Sequence, residues 1–210
     1  MSSLEEVCHL IRSLDKIAEP RRNIYPGFNK AHVLLTIKWI SESPRSRVFL
    51  EKNLGIGEAS VKTLIKRLKE EGLVATSKHS GSTATAKGSY VASKLGSHIR
   101  IYTSICNPTS KDDLLTIIPN LSPPKKMLDV YVVRDYLVES GCNISLIGGY
   151  YSNRLYAPGI DPDYIEDLKK CIEASSDSNI ASGQGVFVFF PKNMLPKCLN
   201  GILSFLLSRC

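Results

Sequence analysis

The apolar positions between residues 46 and 85 fall into a short helix, a glycine turn, a longer helix and a hairpin. Val48, Phe49, Leu50 and Leu54 form a brief apolar segment that ends in Gly55-Ile56-Gly57. Val61, Leu64, Ile65 and Leu68 then recur at i, i+3, i+4 and i+7, the single stripe of an amphipathic helix. Glu58 in its first turn and Lys66, Arg67 and Lys69 toward its end suit the helix dipole, and Gly72 stops it. Leu73-Val74-Ala75-Thr76 reads as a strand and His79-Ser80-Gly81-Ser82 as a turn. Upstream, Leu4, Val7, Leu10, Ile11, Leu14 and Ile17 make a helical stripe over residues 2–18, with Ser3 and Glu6 as a capping box. Residues 20–28, with two prolines and the pair Arg21-Arg22, read as a linker. Asn29 caps a helix over Lys30–Ser41, whose stripe is Val33, Leu34, Ile37 and Ile40, with Trp39 at the rim of the core. Ala86–Leu95 is a further helix.

After Gly96 the pattern changes. Residues 99–105 alternate like a strand, and Leu114–Ile118 is a second short strand. Residues 119–126 form a proline-rich loop. Tyr131–Ser140 reads as a strand that continues into a helix, capped by Gly141. Asn143–Tyr150 is a strand that turns at Ser152-Asn153 into Arg154–Ala157, with Gly148-Gly149 as a bend. Pro162–Ser175 is a helix with Asp161 as its N-cap. Val186–Phe190, unbroken and apolar, suits a strand buried on both faces, and Lys197–Ser208 is a final helix. The expected fold class is α+β. A winged helix-turn-helix domain over residues 1–97 precedes a small α+β domain over residues 98–210, with helices packed on a sheet.

Charge sharpens this division. The net charge is +7. Residues 29–97 hold 12 Lys and Arg against 5 Asp and Glu, whereas residues 1–28 balance at 4 each and residues 98–210 at 11 each. The whole excess therefore sits in the helix–turn–helix segment, as it would in a module facing a polyanion. The outward face of the second helix carries Ser60, Lys62, Thr63, Lys66, Arg67 and Lys69, donors for phosphates and base edges on a helix that fits a major groove. Lys78 and His79 border the hairpin turn, from which they would reach the minor groove or its phosphates.

The segment Gly55–Val74, GIGEASVKTLIKRLKEEGLV, resembles the recognition-helix segment of archaeal winged-helix regulators. Thr85-Ala86-Lys87-Gly88 resembles the Thr-x-Lys-Gly that opens the helix after the wing in that family. The resemblance covers residues 29–97. Arg134-Asp135 with Gly141 and Pro158-Gly159 is similar to the C-terminal domain of archaeal winged-helix proteins whose second domain has no established role. The resemblance implies a regulator that binds double-stranded DNA, with a recognition helix at 58–71 and a wing at 73–85. Its second domain would dimerise or sense a small-molecule effector. A homodimer is expected, with residues 4–17 as the main subunit contact; the alternative for that stripe is packing on its own domain.

Other classes receive less support. No run of 18 apolar residues is present, so no membrane span is expected. The first residues lack the apolar block of a signal peptide, which points to the cytoplasm. Asp161, Asp163, Glu166 and Asp167 suit a helix N-terminus better than a metal site. Cys8, Cys106, Cys142, Cys171, Cys198 and Cys210 show no CxxC spacing and His9, His32, His79 and His98 no ligand pattern. No metal, cofactor or catalytic residue is expected, and free buried thiols are the default, with disulfides an option in a hyperthermophile. The alternative to a regulator is an enzyme that carries a winged helix, such as a riboflavin kinase, which needs a glycine-rich nucleotide loop that residues 98–210 lack.

Overall fold

Asn29 starts the helix that organises the first unit. Its side chain accepts from the Ala31 and His32 amides at 3.1 and 3.3 Å, which satisfies two of the donors left free at the start of Lys30–Glu42 (α2). The computed structural model describes residues 3–77, 81–104, 106, 108, 112–143, 145–152, 154–175 and 183–210. The chain divides into two units, Met1–Ser97 with Leu206–Cys210, and His98–Phe205. Leu206–Cys210 thus groups with the first unit, a departure from the 98–210 grouping read from sequence. The architecture is mixed α+β. Among the described residues no helix is long and apolar enough to cross a membrane.

In the first unit, Ser3–Ala18 (α1), α2, Arg47–Leu54 (α3) and Glu58–Glu70 (α4) precede a hairpin of Val74–Ser77 (β1) and Gly81–Ala84 (β2), followed by Ala86–His98 (α5). The stripe of α1 is used within this unit. Val7, Ile11, Leu14 and Ile17 are buried, and α1 packs on α2 and α4. The subunit contact expected in residues 4–17 is therefore corrected: that face is already covered by its own domain. Cys8 pairs with Cys210.

The second unit is built on a sheet of order β3-β4-β7-β5-β6, every neighbouring pair antiparallel. The strands are Arg100–Thr103 (β3), Asp113–Pro119 (β4), Leu146–Tyr151 (β5), Arg154–Tyr156 (β6) and Gln184–Pro191 (β7). The helices are Met127–Glu139 (α6), Pro162–Ser175 (α7) and Leu195–Leu207 (α8), the last two residues of α8 grouping with the first unit. Phe187 and Phe189 join Leu115, Ile117, Leu168 and Ile172 in one core; Val186, Val188 and Phe190 alternate with them and are buried on the other face. Cys106–Cys171 and Cys142–Cys198 are bonded, so free thiols are corrected to disulfides among the described residues. Tyr131–Ser140 contains no strand; α6 is helical throughout. Gly148-Gly149 is not a bend but mid-strand. A Cβ at Gly148 would lie 2.3 Å from the Phe187 ring, and one at Gly149 2.3 Å from Pro123. Asp161 Oδ1 accepts from the Asp163 amide at 3.0 Å, the role expected of an N-cap.

Candidate nucleic-acid interface

Glycine turns and the residues that open α5 hold α4 and the hairpin together. Gly55 takes a left-handed φ of 68° to end α3, and Gly72 the same value to end the helical run through α4. Thr85 caps α5, accepting from the Gly88 amide at 3.1 Å and donating to the Gly72 carbonyl at 2.7 Å. Lys87 Nζ donates to the Glu71 carbonyl at 2.8 Å. A Cβ at Gly88 would meet the Leu73 carbonyl oxygen at 2.1 Å, so only glycine lets α5 approach the chain here. The motif at 85–88 thus ties the end of α4 and the start of the hairpin to α5.

The hairpin is extended by a third segment that the sequence did not reveal. Arg45 and Ser82 exchange both backbone hydrogen bonds at 3.0 Å, and Gly81, at a φ of 81°, lies against the Arg45 carbonyl. This places Arg45 at the mouth of a cleft between α4 and β1–β2. The Arg45 guanidinium stacks 4.3 Å from the Phe49 ring centroid, and Phe49 meets Trp39 edge-on. Trp39 lies at the core rim, as expected, and its carbonyl also accepts from Arg45 Nε at 3.4 Å.

The cleft has a volume of about 850 Å³. Arg45, Arg47, Lys62, Lys66 and Lys69 line it, with Glu70 the acidic member. Glu70 is engaged by Arg21, 2.6 Å away, which together with nearby Lys66 and Arg67 holds its carboxyl below the usual range. Lys69 donates to Thr76 Oγ1 at 3.0 Å, spanning the cleft from α4 to β1. Lys62 pairs with Glu58 at 2.9 Å along the helix, and that hydrogen bond lowers the Glu58 carboxyl. Lys66 and Arg47 act on Glu70 and Glu58 through space but form no ion pair within 4 Å among the described residues.

Lys62, Thr63, Lys66 and Lys69 are exposed on α4, on the face expected of them. Ser60 is half-buried at its edge, with its Oγ against the backbone of Gly27. Thr63 Oγ1 donates to the Ala59 carbonyl at 2.9 Å. Arg67 requires a correction. It is 5% exposed, and its guanidinium points away from the outward face into the unit, where it lies over Phe28. Its head finds backbone acceptors there, the carbonyls of Ile17 and Glu19. Lys78 and His79 lie outside the described residues. Arg45 and Arg47 were missed; their signal was the basic pair that flanks Ser46 directly after Pro44.

No family model matches the chain, and no curated protein matches it. Among solved structures, hypothetical protein PH0730 from Pyrococcus horikoshii OT3 is similar, with a TM-score of 0.61 and 19% sequence identity over 85% of this chain and 90% of that one. At this identity the likeness is one of fold.

Proposed function

We propose that the first unit is a winged helix-turn-helix that binds double-stranded DNA, and that the protein is a sequence-specific transcriptional regulator. The observation that carries this reading is the cleft between α4 and the hairpin, in which five cations face a single carboxylate already paired with Arg21. A phosphate backbone is the partner that such a charge distribution attracts, because phosphate neutralisation and counterion release dominate nucleic-acid affinity. In this reading α4 enters the major groove and presents Lys62, Thr63 and Lys66. The hairpin is the wing. The resemblance of residues 55–74 and 85–88 to archaeal winged-helix regulators points the same way. The second unit would then serve dimerisation or effector sensing, a role that rests on the two-unit division alone.

The test is fluorescence anisotropy with duplexes selected from a random library, run across a salt series. The parent should bind with affinity that falls steeply with salt, and Lys66→Ala should bind all sequences more weakly with a slope lower by about one. A parent that binds no duplex at low salt would sink the reading.

A further inference from the structure

The wing cleft takes up one flank of the exposed face of α4, that of Lys62, Lys66 and Lys69, and Ala59, Ser60 and Thr63 form the other. On the other lies the segment read from sequence as a linker. Arg22 and Asn23 both adopt left-handed φ values, 51° and 60°, and Arg21 and Ile24 exchange backbone hydrogen bonds at 3.3 and 3.0 Å. This is a two-residue hairpin turn, not a loose connection. It is held to α4 at three points. Arg21 pairs with Glu70, Gly27 abuts Ser60, and Phe28 lies beneath the Arg67 guanidinium at 5.4 Å. Between the turn and α4 lies a concavity of about 320 Å³, which Ser60 and Thr63 share with Tyr25.

A turn fixed this firmly still exposes large side chains. Ile24 is 71% and Tyr25 83% exposed, and Arg22 has no anionic partner among the described residues. Burying a tyrosine normally outweighs leaving it in water, so its outward display beside an unpaired guanidinium indicates a contact surface. That surface is continuous with the cationic face of α4 and adds a positive charge to it, which favours a polyanion as the occupant.

We propose that the turn at residues 21–25 is a second DNA-binding arm, which contacts the phosphate backbone on the side of the major groove opposite to the wing. This rests on the reading of α4 as the helix that enters the groove. A major groove is about 12 Å wide, so a helix seated in it brings its two flanks to the two bounding strands. The wing cleft, with Arg45 and Arg47, meets one strand. Arg22 donates to a phosphate of the other, and Tyr25 packs on its sugar with the hydroxyl free to donate. The turn contributes affinity and orientation and carries little sequence information of its own.

The experiment compares the full-length parent with Arg22→Ala/Tyr25→Ala on one selected duplex, by anisotropy across salt and by hydroxyl-radical footprinting of each strand. Both residues are exposed, so the melting curves should coincide. The variant should bind about tenfold more weakly, the scale of one charged hydrogen bond, with a salt slope lower by about one. Protection should be lost on one strand and kept on the other, whereas Arg45→Ala/Arg47→Ala should show the reverse. A parent that binds and a variant whose footprint and slope are unchanged would overturn the arm and leave the proposed function standing. An unchanged footprint with altered self-association would assign the turn to a protein contact and overturn it equally. A parent that binds no duplex would remove the proposed function, and the arm with it.

Discussion

Arg67 closes the end of α1, donating from Nη1 to the Ile17 carbonyl at 2.7 Å and to the Glu19 carbonyl at the same distance. The Ile17 carbonyl is among the acceptors that a helix leaves free at its C-terminus, and Glu19 is the residue that follows α1. Arg67→Ala should therefore strip one buried and one part-buried acceptor of their partner and destabilise the first unit by about 1–3 kcal/mol. Arg67→Lys should recover only part of this, because an ammonium lacks the planar fork. Urea denaturation measures the loss. Under the proposed DNA binding, the salt slope should stay that of the parent, in contrast to Lys66→Ala; a lower slope for a folded Arg67 variant would return this side chain to the proposed interface.

His32 links the first unit to pH. Its Nδ1 accepts from the Asn29 amide at 3.1 Å, and burial pushes its pKa down from 6.5 to about 4 against the opposing pull of the Leu54 carbonyl. The folded state thus prefers the neutral ring, while the unfolded chain takes up a proton near pH 6.5. The contribution of His32 is fully present above pH 6.5 and is lost as pH falls toward 4, amounting to about 3 kcal/mol at the lower limit. Thermal melts at intervals from pH 7 to 4 should show this decline, and His32→Gln should flatten it even if it lowers stability at neutral pH.

Gly88 inverts the usual effect of a helical glycine. Glycine to alanine inside a helix ordinarily stabilises by about 1 kcal/mol. Here the added methyl would press into the Leu73 carbonyl, a backbone atom that cannot swing away. Gly88→Ala should destabilise by about 1–3 kcal/mol, as overpacking does, whereas the exposed helix position Ser93 should accept alanine without loss. A neutral Gly88→Ala in chemical denaturation would mean that α5 moves freely against the hairpin.

All six cysteines are paired. Alkylation of the denatured, unreduced protein should add no label by intact mass, and alkylation after reduction should add six. Each lost native disulfide should cost about 2–5 kcal/mol, read as a lower thermal midpoint in reductant. Full labelling without reductant would refute the pairing.

The features legible in the sequence were those set by local chemistry. The stripes of α2 and α4, the Asn29 cap and the cap at Asp161 each follow from neighbours within one or two turns. What stayed hidden depends on partners far along the chain. Arg67 looks like a surface cation because its acceptors, Ile17 and Glu19, belong to another element. The stripe of α1 announces that it must be covered but not by what. Gly148 and Gly149 suggest a turn until Phe187 and Pro123 occupy the space their side chains would need. Arg45 enters the cleft only through its backbone pairing with Ser82, a contact that no periodicity encodes. Cysteine connectivity is hidden for the same reason.

The place of β7 in the sheet has a consequence for biogenesis. It is the last strand in the chain, yet it lies between β4 and β5 and joins two pairs that are each local in sequence. Until the ribosome has released residues 184–191, β4 and β5 each present an unpaired edge, and the sheet cannot close stepwise behind the growing chain. Completion of this sheet therefore waits for β7 and depends on contacts of long sequence separation, which slow folding. In that interval the nascent edges are open to chaperones and to wrong partners alike, and Val186–Phe190, free of charge and rich in strand-forming residues, is the segment whose capture ends the exposure.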